Sequence, residues 1–178
     1  LSKNCAHWVI SDLAIMMAGC VSIPIYPTLN ADSINQILIH SESKAIIIGK
    51  LDDFESHKSG IPDIPVISVG IYGEQVGELW EDLIKKRKPL DSVSLPDTNS
   101  LHTIIYTSGT TGTPKGVMHT ASNFMESSST LITLFSLPNN LRLFSYLPLA
   151  HVAERLLINA GVVLGATISF AESLETFA

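Results

Sequence analysis

Charge is what this sequence has least of. Asp, Glu, Lys and Arg together make up 16% of its residues, against roughly a quarter in an ordinary soluble domain. Basic residues are the scarcer kind, 11 against 17 acidic ones, for a net charge of −6. A protein that grips a nucleic-acid backbone needs a basic face, so this balance argues against nucleic acid as a partner. The one basic run, Lys85-Lys86-Arg87-Lys88, falls where a helix is expected to end before Pro89, and cations there complement the negative end of the helix dipole. Cysteine is nearly absent. Cys5 and Cys20 lie in one apolar helical stretch, form no disulfide framework, and read as small core residues of a reduced, cytoplasmic protein. No Cys and His pattern has zinc spacing. No signal-peptide pattern, internal repeat or low-complexity tract is read within these 178 residues. The longest charge-free stretch of interest, 156–171, is shorter than a membrane span and is interrupted by Asn159, Gly161 and Gly165.

What the chain has instead is apolar substance: 46% hydrophobic residues and a mean hydropathy of +0.30, a balance typical of buried parallel sheets. Its 178 residues suffice for one sizeable core or two small lobes. Asn4 is placed to cap a helix whose apolar positions are Val9, Leu13, Met16, Met17 and Cys20. Residues 21–26 read as a strand stopped by Pro27. A second helix begins at Ala31-Asp32 and buries Ile34, Ile37 and Leu38. Strands are expected at 44–48, 65–69, 101–106, 142–147 and 166–170, with a short extended return at 116–119. Helices are expected at 79–88, at 122–134 (burying Phe124, Leu131 and Leu134) and at 149–161, with another beginning at 172–178. The Ser-, Asp- and Pro-rich segment 89–100 reads as a linker between sub-regions of about 1–90 and 101–178. Alternating short strands and helices imply an α/β fold, mainly parallel sheets flanked by helices. The chain opens without Met and closes inside an expected helix, which suggests a fragment.

One segment carries chemistry: Thr107-Ser108-Gly109-Thr110-Thr111-Gly112-Thr113-Pro114-Lys115-Gly116. A loop that holds polyphosphate needs glycines for sharp turns and close backbone approach. It also needs compact hydroxyl and N–H donors, and a cation near the leaving phosphates. Gly109, Gly112 and Gly116 meet the first need. Thr107, Ser108, Thr110, Thr111 and Thr113 meet the second, Lys115 the third, and Pro114 stiffens the exit. A strand leads into the loop, placing it at the carboxyl edge of a sheet, where ligands bind in open α/β folds. The loop is not a Walker-type P-loop. Thr113 and Pro114 separate Gly112 from Lys115, and a glycine rather than Ser or Thr follows the lysine.

With Tyr106 at its head, this segment resembles the signature of the adenylate-forming (AMP-binding) superfamily, which includes acyl-CoA synthetases, luciferases and the adenylation domains of peptide synthetases. Tyr146-Leu147-Pro148-Leu149-Ala150-His151-Val152-Ala153-Glu154-Arg155 and Pro24-Ile25-Tyr26-Pro27-Thr28 resemble segments of the long-chain fatty-acid–CoA ligases. The resemblance runs along residues 1–178 and is weakest over 51–99. It implies part of the large N-terminal domain of that fold, and a two-step reaction using ATP, Mg²⁺ and CoA. A fatty acid carboxylate first attacks the α-phosphate of ATP; the CoA thiol then takes the acyl group and AMP leaves.

By the same resemblance Thr107 helps bind Mg²⁺, and Thr110, Thr111 and Lys115 contact phosphate. His151 lies by the reacting carboxylate and acyl pocket. Glu154 and Arg155 read as a structural couple, exposed or locally paired. Ala153 stands where many relatives carry an aromatic residue. The family's adenine-contacting Tyr-Gly-x-Thr-Glu segment, its ribose-binding aspartate and its C-terminal lysine are not in these 178 residues, so the piece alone is expected to be inactive. Two other readings stay open: an acyl-AMP ligase or similar enzyme that loads a carrier protein, and a non-catalytic α/β module. Peripheral membrane association and homodimerisation of the full-length protein also stay open.

Overall fold

The computed structural model describes residues 1–93, 97–108 and 114–172. Six helices and seven short strands alternate along these segments: α1 (Ala6–Met17), α2 (Ala31–His40), β1 (Ile46–Ile48), α3 (Glu55–Lys58), β2 (Val66–Ser68), β3 (Glu78–Leu79), α4 (Trp80–Lys86), β4 (Leu101–Ser108), β5 (Pro114–Thr120), α5 (Ala121–Leu134), β6 (Arg142–Ser145), α6 (Val152–Val163) and β7 (Thr167–Phe170). Strands β1, β2 and β3 form a parallel sheet, and β6 pairs with β7 in parallel. The exception to parallel pairing is the β4–β5 hairpin, which brackets the glycine-rich segment.

The apolar core gathers around α2 and β1. Asn30 caps α2 by accepting a hydrogen bond from the Ser33 amide (2.9 Å), with Asp32 in the first turn and His40 in the last, as the helix dipole prefers. The helix buries Ile34, Ile37 and Leu38, as its spacing predicts, against Ile46 and Ile48 of β1 and against Ile25, Phe54 and Tyr106. Helix α5 follows β5 without a loop. Thr120 closes the strand and caps the helix: its hydroxyl accepts from the Asn123 amide while the Asn123 side chain accepts from the Thr120 amide.

Four local expectations need correction. Asn4 does not cap α1. Its amide group donates to Ser145 Oγ (2.9 Å) and the Leu147 carbonyl (2.6 Å), and its side-chain oxygen accepts from the Leu149 amide (2.9 Å); Cys5 stands at the cap position without a side-chain bond. Residues 21–26 are extended but make only one parallel bridge, Ser22 to Thr103, because Pro24 and Pro27 remove the donors a longer ladder needs. Cys20 is exposed, beyond the end of α1, while Cys5 is buried. Leu134 is exposed at the last residue of α5; Leu131 is half-buried and Phe124 is buried. The helix expected from 172 onward lies outside the described residues beyond Glu172.

Helix α1 also inverts its expected pattern. Its fully buried residues are Ser11 and Asp12, whereas Ile10 and Met17 are exposed. The reason is electrostatic, and it lies at the site.

Candidate functional site

The hairpin presents the ends of the glycine-rich segment as a pair. Thr107 faces Lys115 and Ser108 faces Pro114 across the ladder. Directly opposed residues of an antiparallel pair project to the same face, so the Thr107 hydroxyl and the Lys115 ammonium emerge together, both exposed, at the tip of the hairpin. Gly109, Thr110, Thr111, Gly112 and Thr113 lie outside the described residues, and of Ser108 only the backbone is described.

One step back from the tip, Tyr106 faces Gly116. A Cβ at 116 would fall 2.6 Å from Ile104 Cγ2 and 3.2 Å from Tyr106 Cζ, so the glycine is required for this packing rather than for a turn. Tyr106 is buried in the apolar core, which pushes its phenol above its ordinary pKa. Its hydroxyl lies 2.6 Å from His40 Nδ1 at the end of α2, with the two rings edge to face. The strand entering the loop is thereby pinned to α2.

His151 is the N-cap of α6. Its Nδ1 accepts from the Ala153 amide at 3.2 Å, which leaves the proton of the neutral ring on the solvent-facing Nε2. The turn before it is anchored by Leu149 and Ala150, both buried, and closed by a bond from the His151 amide to the Pro148 carbonyl (2.8 Å). Asn4 secures the same turn through the Leu149 amide.

Glu154 and Arg155 are neither exposed nor locally paired, contrary to expectation; they are 2% and 1% exposed. Arg155 reaches across the molecule. Its Nε donates to Asp12 Oδ2 (2.9 Å), Nη2 to Asp12 Oδ1 (2.5 Å) and Nη1 to Thr103 Oγ1 (2.6 Å). Ser22 Oγ donates to Asp12 Oδ1 (2.5 Å), and Thr103 Oγ1 donates to the Ser22 carbonyl (2.6 Å). The rings of Trp8 and Phe124 lie 5.6 and 5.1 Å from the guanidinium carbon, within cation–π range. Helix α1 turns Asp12 inward because a buried guanidinium needs a buried carboxylate. One sequence signal pointed there: Asp12 is the only charged residue between Lys3 and Asp32.

A bulge borders this network. The register passes from Leu101–Thr120 to Thr103–His119, which leaves His102 as the extra residue of β4. Burial, then the Arg155 charge, lowers the His102 pKa below its ordinary value; Asp12 opposes and His119 reinforces the shift. His119 is lowered in the same way, by burial and then Arg155. Both rings stand edge-on to Phe124. His102 Nδ1 is buried without a hydrogen-bond partner.

Among the described residues no cluster of three or more His, Cys, Asp or Glu is placed to hold a metal. A magnesium ion at Thr107 would find one protein hydroxyl there, a poor site by itself, and would need a carboxylate from elsewhere besides phosphate and water oxygens. Thr107 and Lys115 thus form one unit, and His151 belongs to a second element joined to β4 by the Arg155 network.

Comparison with known proteins gives a consistent picture. The AMP-binding enzyme family matches over residues 1–178. The chain is 32% identical to the peroxisomal long chain acyl-CoA synthetase 7 of Arabidopsis thaliana, an alignment covering 94% of this chain and 26% of that protein. It is 30% identical to the human long-chain-fatty-acid–CoA ligase 1, covering 95% and 27%. It therefore spans about a quarter of the length of these curated relatives. Among solved structures, the o-succinylbenzoate CoA synthetase of Bacillus subtilis in complex with ATP and magnesium superposes with a TM-score of 0.75 at 21% identity, over 99% of this chain and 44% of that one. The luciferase-like enzyme of the mealworm Zophobas morio superposes with a TM-score of 0.80 at 17% identity, over 97% and 41%.

Proposed function

The chain belongs to the AMP-binding enzyme family, and from that premise we propose that it supplies the pyrophosphate-gripping part of a long-chain fatty-acid–CoA ligase. The observation that carries this is the hairpin tip, where Thr107 and Lys115 face each other across the ends of the glycine-rich segment.

The reaction asks for charge control more than covalent chemistry. A carboxylate oxygen of the fatty acid attacks the α-phosphorus of ATP. The bond from that phosphorus to the bridging oxygen breaks, and pyrophosphate leaves with its electrons. The Lys115 ammonium, the Thr107 hydroxyl and, on this reading, the hydroxyls of Ser108, Thr110, Thr111 and Thr113 take up the charge that grows on the leaving group. Magnesium bound to those phosphates would add further neutralisation. His151 faces solvent with Nε2–H available, and on this reading donates to the acid or acyl-adenylate oxygen. In the second half-reaction the CoA thiol attacks the acyl carbonyl and AMP departs.

Long-chain fatty acids as substrates and CoA as the acceptor are supported by the named activities of the Arabidopsis and human relatives. Cys5 and Cys20 are both free, which fits a reducing compartment such as the cytoplasm. Among the described residues no helix is long and apolar enough to cross a membrane. The test is pyrophosphate exchange into ATP by the complete enzyme, with palmitate present or absent. Palmitate-dependent exchange followed by CoA-dependent thioester formation is expected. Exchange without thioester would instead select a carrier-loading acyl-AMP ligase, and no exchange with any fatty acid would overturn the proposal. The 178-residue piece should form no acyl-CoA, since it carries no Tyr-Gly-x-Thr-Glu segment.

A further inference from the structure

We propose that Arg155 is a positioning residue for the adenylation step. Clamped between Asp12 and Thr103, it locks the His151 end of α6 to the strand that runs into the phosphate loop. This rests on the functional reading given above and deepens it.

The two ends of the clamp are short of the two parts of the site by about the same length of chain. The Arg155 amide donates to the His151 carbonyl at 3.2 Å, so the arginine sits one helical turn inside the cap residue. Thr103 precedes Thr107 by four residues in one unbroken strand, a rigid arm of roughly 13 Å. A shift of the guanidinium relative to Thr103 is therefore carried to His151 and to the loop with little slack.

The bonding of the clamp selects one orientation. All three guanidinium nitrogens are engaged, two on the two oxygens of Asp12 and one on Thr103. This planar fork fixes direction as well as distance. Thr103 spends its own proton on the Ser22 carbonyl, so its remaining lone pairs are what Nη1 meets. Ser22 in turn donates to the Asp12 carboxylate, which closes the ring of bonds. Trp8 and Phe124 flank the guanidinium, and at 1% exposure water does not compete for its hydrogens.

Stability alone gives no reason for such an arrangement. An apolar trio of similar shape would hold helix and strand together about as firmly, because desolvation offsets most of the Coulomb gain of a buried pair. An apolar contact, however, leaves the helix free to slide or rotate by fractions of an ångström. Misplacement of a reacting group by about 1 Å can cost roughly a hundredfold in rate.

The test uses three variants of the complete enzyme in palmitate-dependent pyrophosphate exchange. Arg155→Lys keeps the charge and loses the fork. Thr103→Val keeps the shape and loses the hydroxyl, both as the acceptor for Arg155 Nη1 and as the donor to the Ser22 carbonyl, and Thr103→Ser restores it. We expect kcat to fall about a hundredfold in Arg155→Lys and about tenfold in Thr103→Val, with the KM for ATP within about twofold of the parent. Thr103→Ser should recover most of the rate. Rates are read at a temperature where circular dichroism shows each protein folded. If Arg155→Lys does not fold, the Val and Ser pair at 103 decides the matter. Wild-type kcat in folded Arg155→Lys and Thr103→Val would overturn the positioning role while leaving the ligase reading intact. Absence of exchange in the unmutated enzyme would overturn both.

Discussion

Two regions of this molecule are held together by opposite means. Around α2 and β1 the cohesion is apolar: Ile34 and Ile48 are fully buried and meet Ile25, Ile37, Leu38 and Phe54. Where α1, β4, α5 and α6 converge, the centre is instead a guanidinium, a carboxylate and two hydroxyls, enclosed by aromatic rings. The first kind of region tolerates repacking, since dispersion and burial are not directional. The second does not, because each polar atom depends on a specific partner. The directional region is the one that joins the His151 segment to the strand entering the glycine-rich segment.

The largest effect expected from breaking this contrast is at Asp12. Asp12→Ala leaves the Arg155 charge buried and unpaired, and should cost about 3–5 kcal/mol in urea unfolding. The double variant Asp12→Ala with Arg155→Met should recover more than half of that, because the stranded charge is then gone. A double variant as unstable as the single would mean that the network acts through packing and not through charge. In the apolar region, Ile34→Ala should cost about 3 kcal/mol by leaving a cavity. No second substitution that removes a partner, such as Ile46→Ala, should restore it. Rescue at one centre and none at the other is the sharpest form of the comparison.

The same contrast governs what the sequence could reveal. The period of α2 gave Ile34, Ile37 and Leu38 directly, because non-directional burial leaves a repeating signature. The glycine-rich segment stood out because its order of small and hydroxyl residues is what a phosphate-holding loop would demand. The strands beside it form but reach further into it than expected, β4 to Ser108 and β5 from Pro114, because cross-strand pairing extends into residues read as loop. The Asp12–Arg155 pair was not legible as a pair. Its partners are far apart in the chain, and Arg155 beside Glu154 on a helix suggested a local couple. The fate of Asn4 shows the same limit. A good capping residue was drawn off by three bonds to the β6–α6 turn, a tertiary preference that no local rule encodes. Polar side chains near long-range partners are where sequence reasoning fails here, and they are also what assembles the site.

Acid should separate the two regions next, with a smaller effect than either substitution. His102 and His119 have folded pKa values below the ordinary 6.5, so in the folded chain they resist protonation. As pH falls through about 6.5 the unfolded chain takes up protons that the folded chain does not, and stability falls until the depressed folded values are passed. The loss should begin near pH 6.5 and continue below it. His102→Gln should flatten part of the slope. Hydrogen exchange at pH 5.5 against pH 7.5 should show loosening of β4, β5 and α5 while α2 and β1 keep their protection relative to global unfolding. Equal loosening in both regions would place the proton-sensitive element elsewhere.

The smallest effect tests the junction between the two kinds of order. Asn30 and Thr120 are both helix caps with a side-chain bond to the third helical amide, and either replaced by alanine should cost about 1 kcal/mol. Their consequences for the site should still differ. Asn30 opens a helix that is held along its length by isoleucines. Thr120 is at once the last residue of β5 and the cap of α5, with no loop between to absorb a change. The first turn it secures carries Phe124, which stands over the Arg155 guanidinium and meets His102 and His119 edge-on. Fraying that turn therefore exposes the arginine network and the hairpin together. At matched loss of stability, Thr120→Ala should lower the rate of pyrophosphate exchange in the complete enzyme several-fold while Asn30→Ala leaves it within about twofold. Equal rates in the two variants would show that the aromatic cover of Arg155 does not reach the loop, and that the clamp works through Asp12 and Thr103 alone.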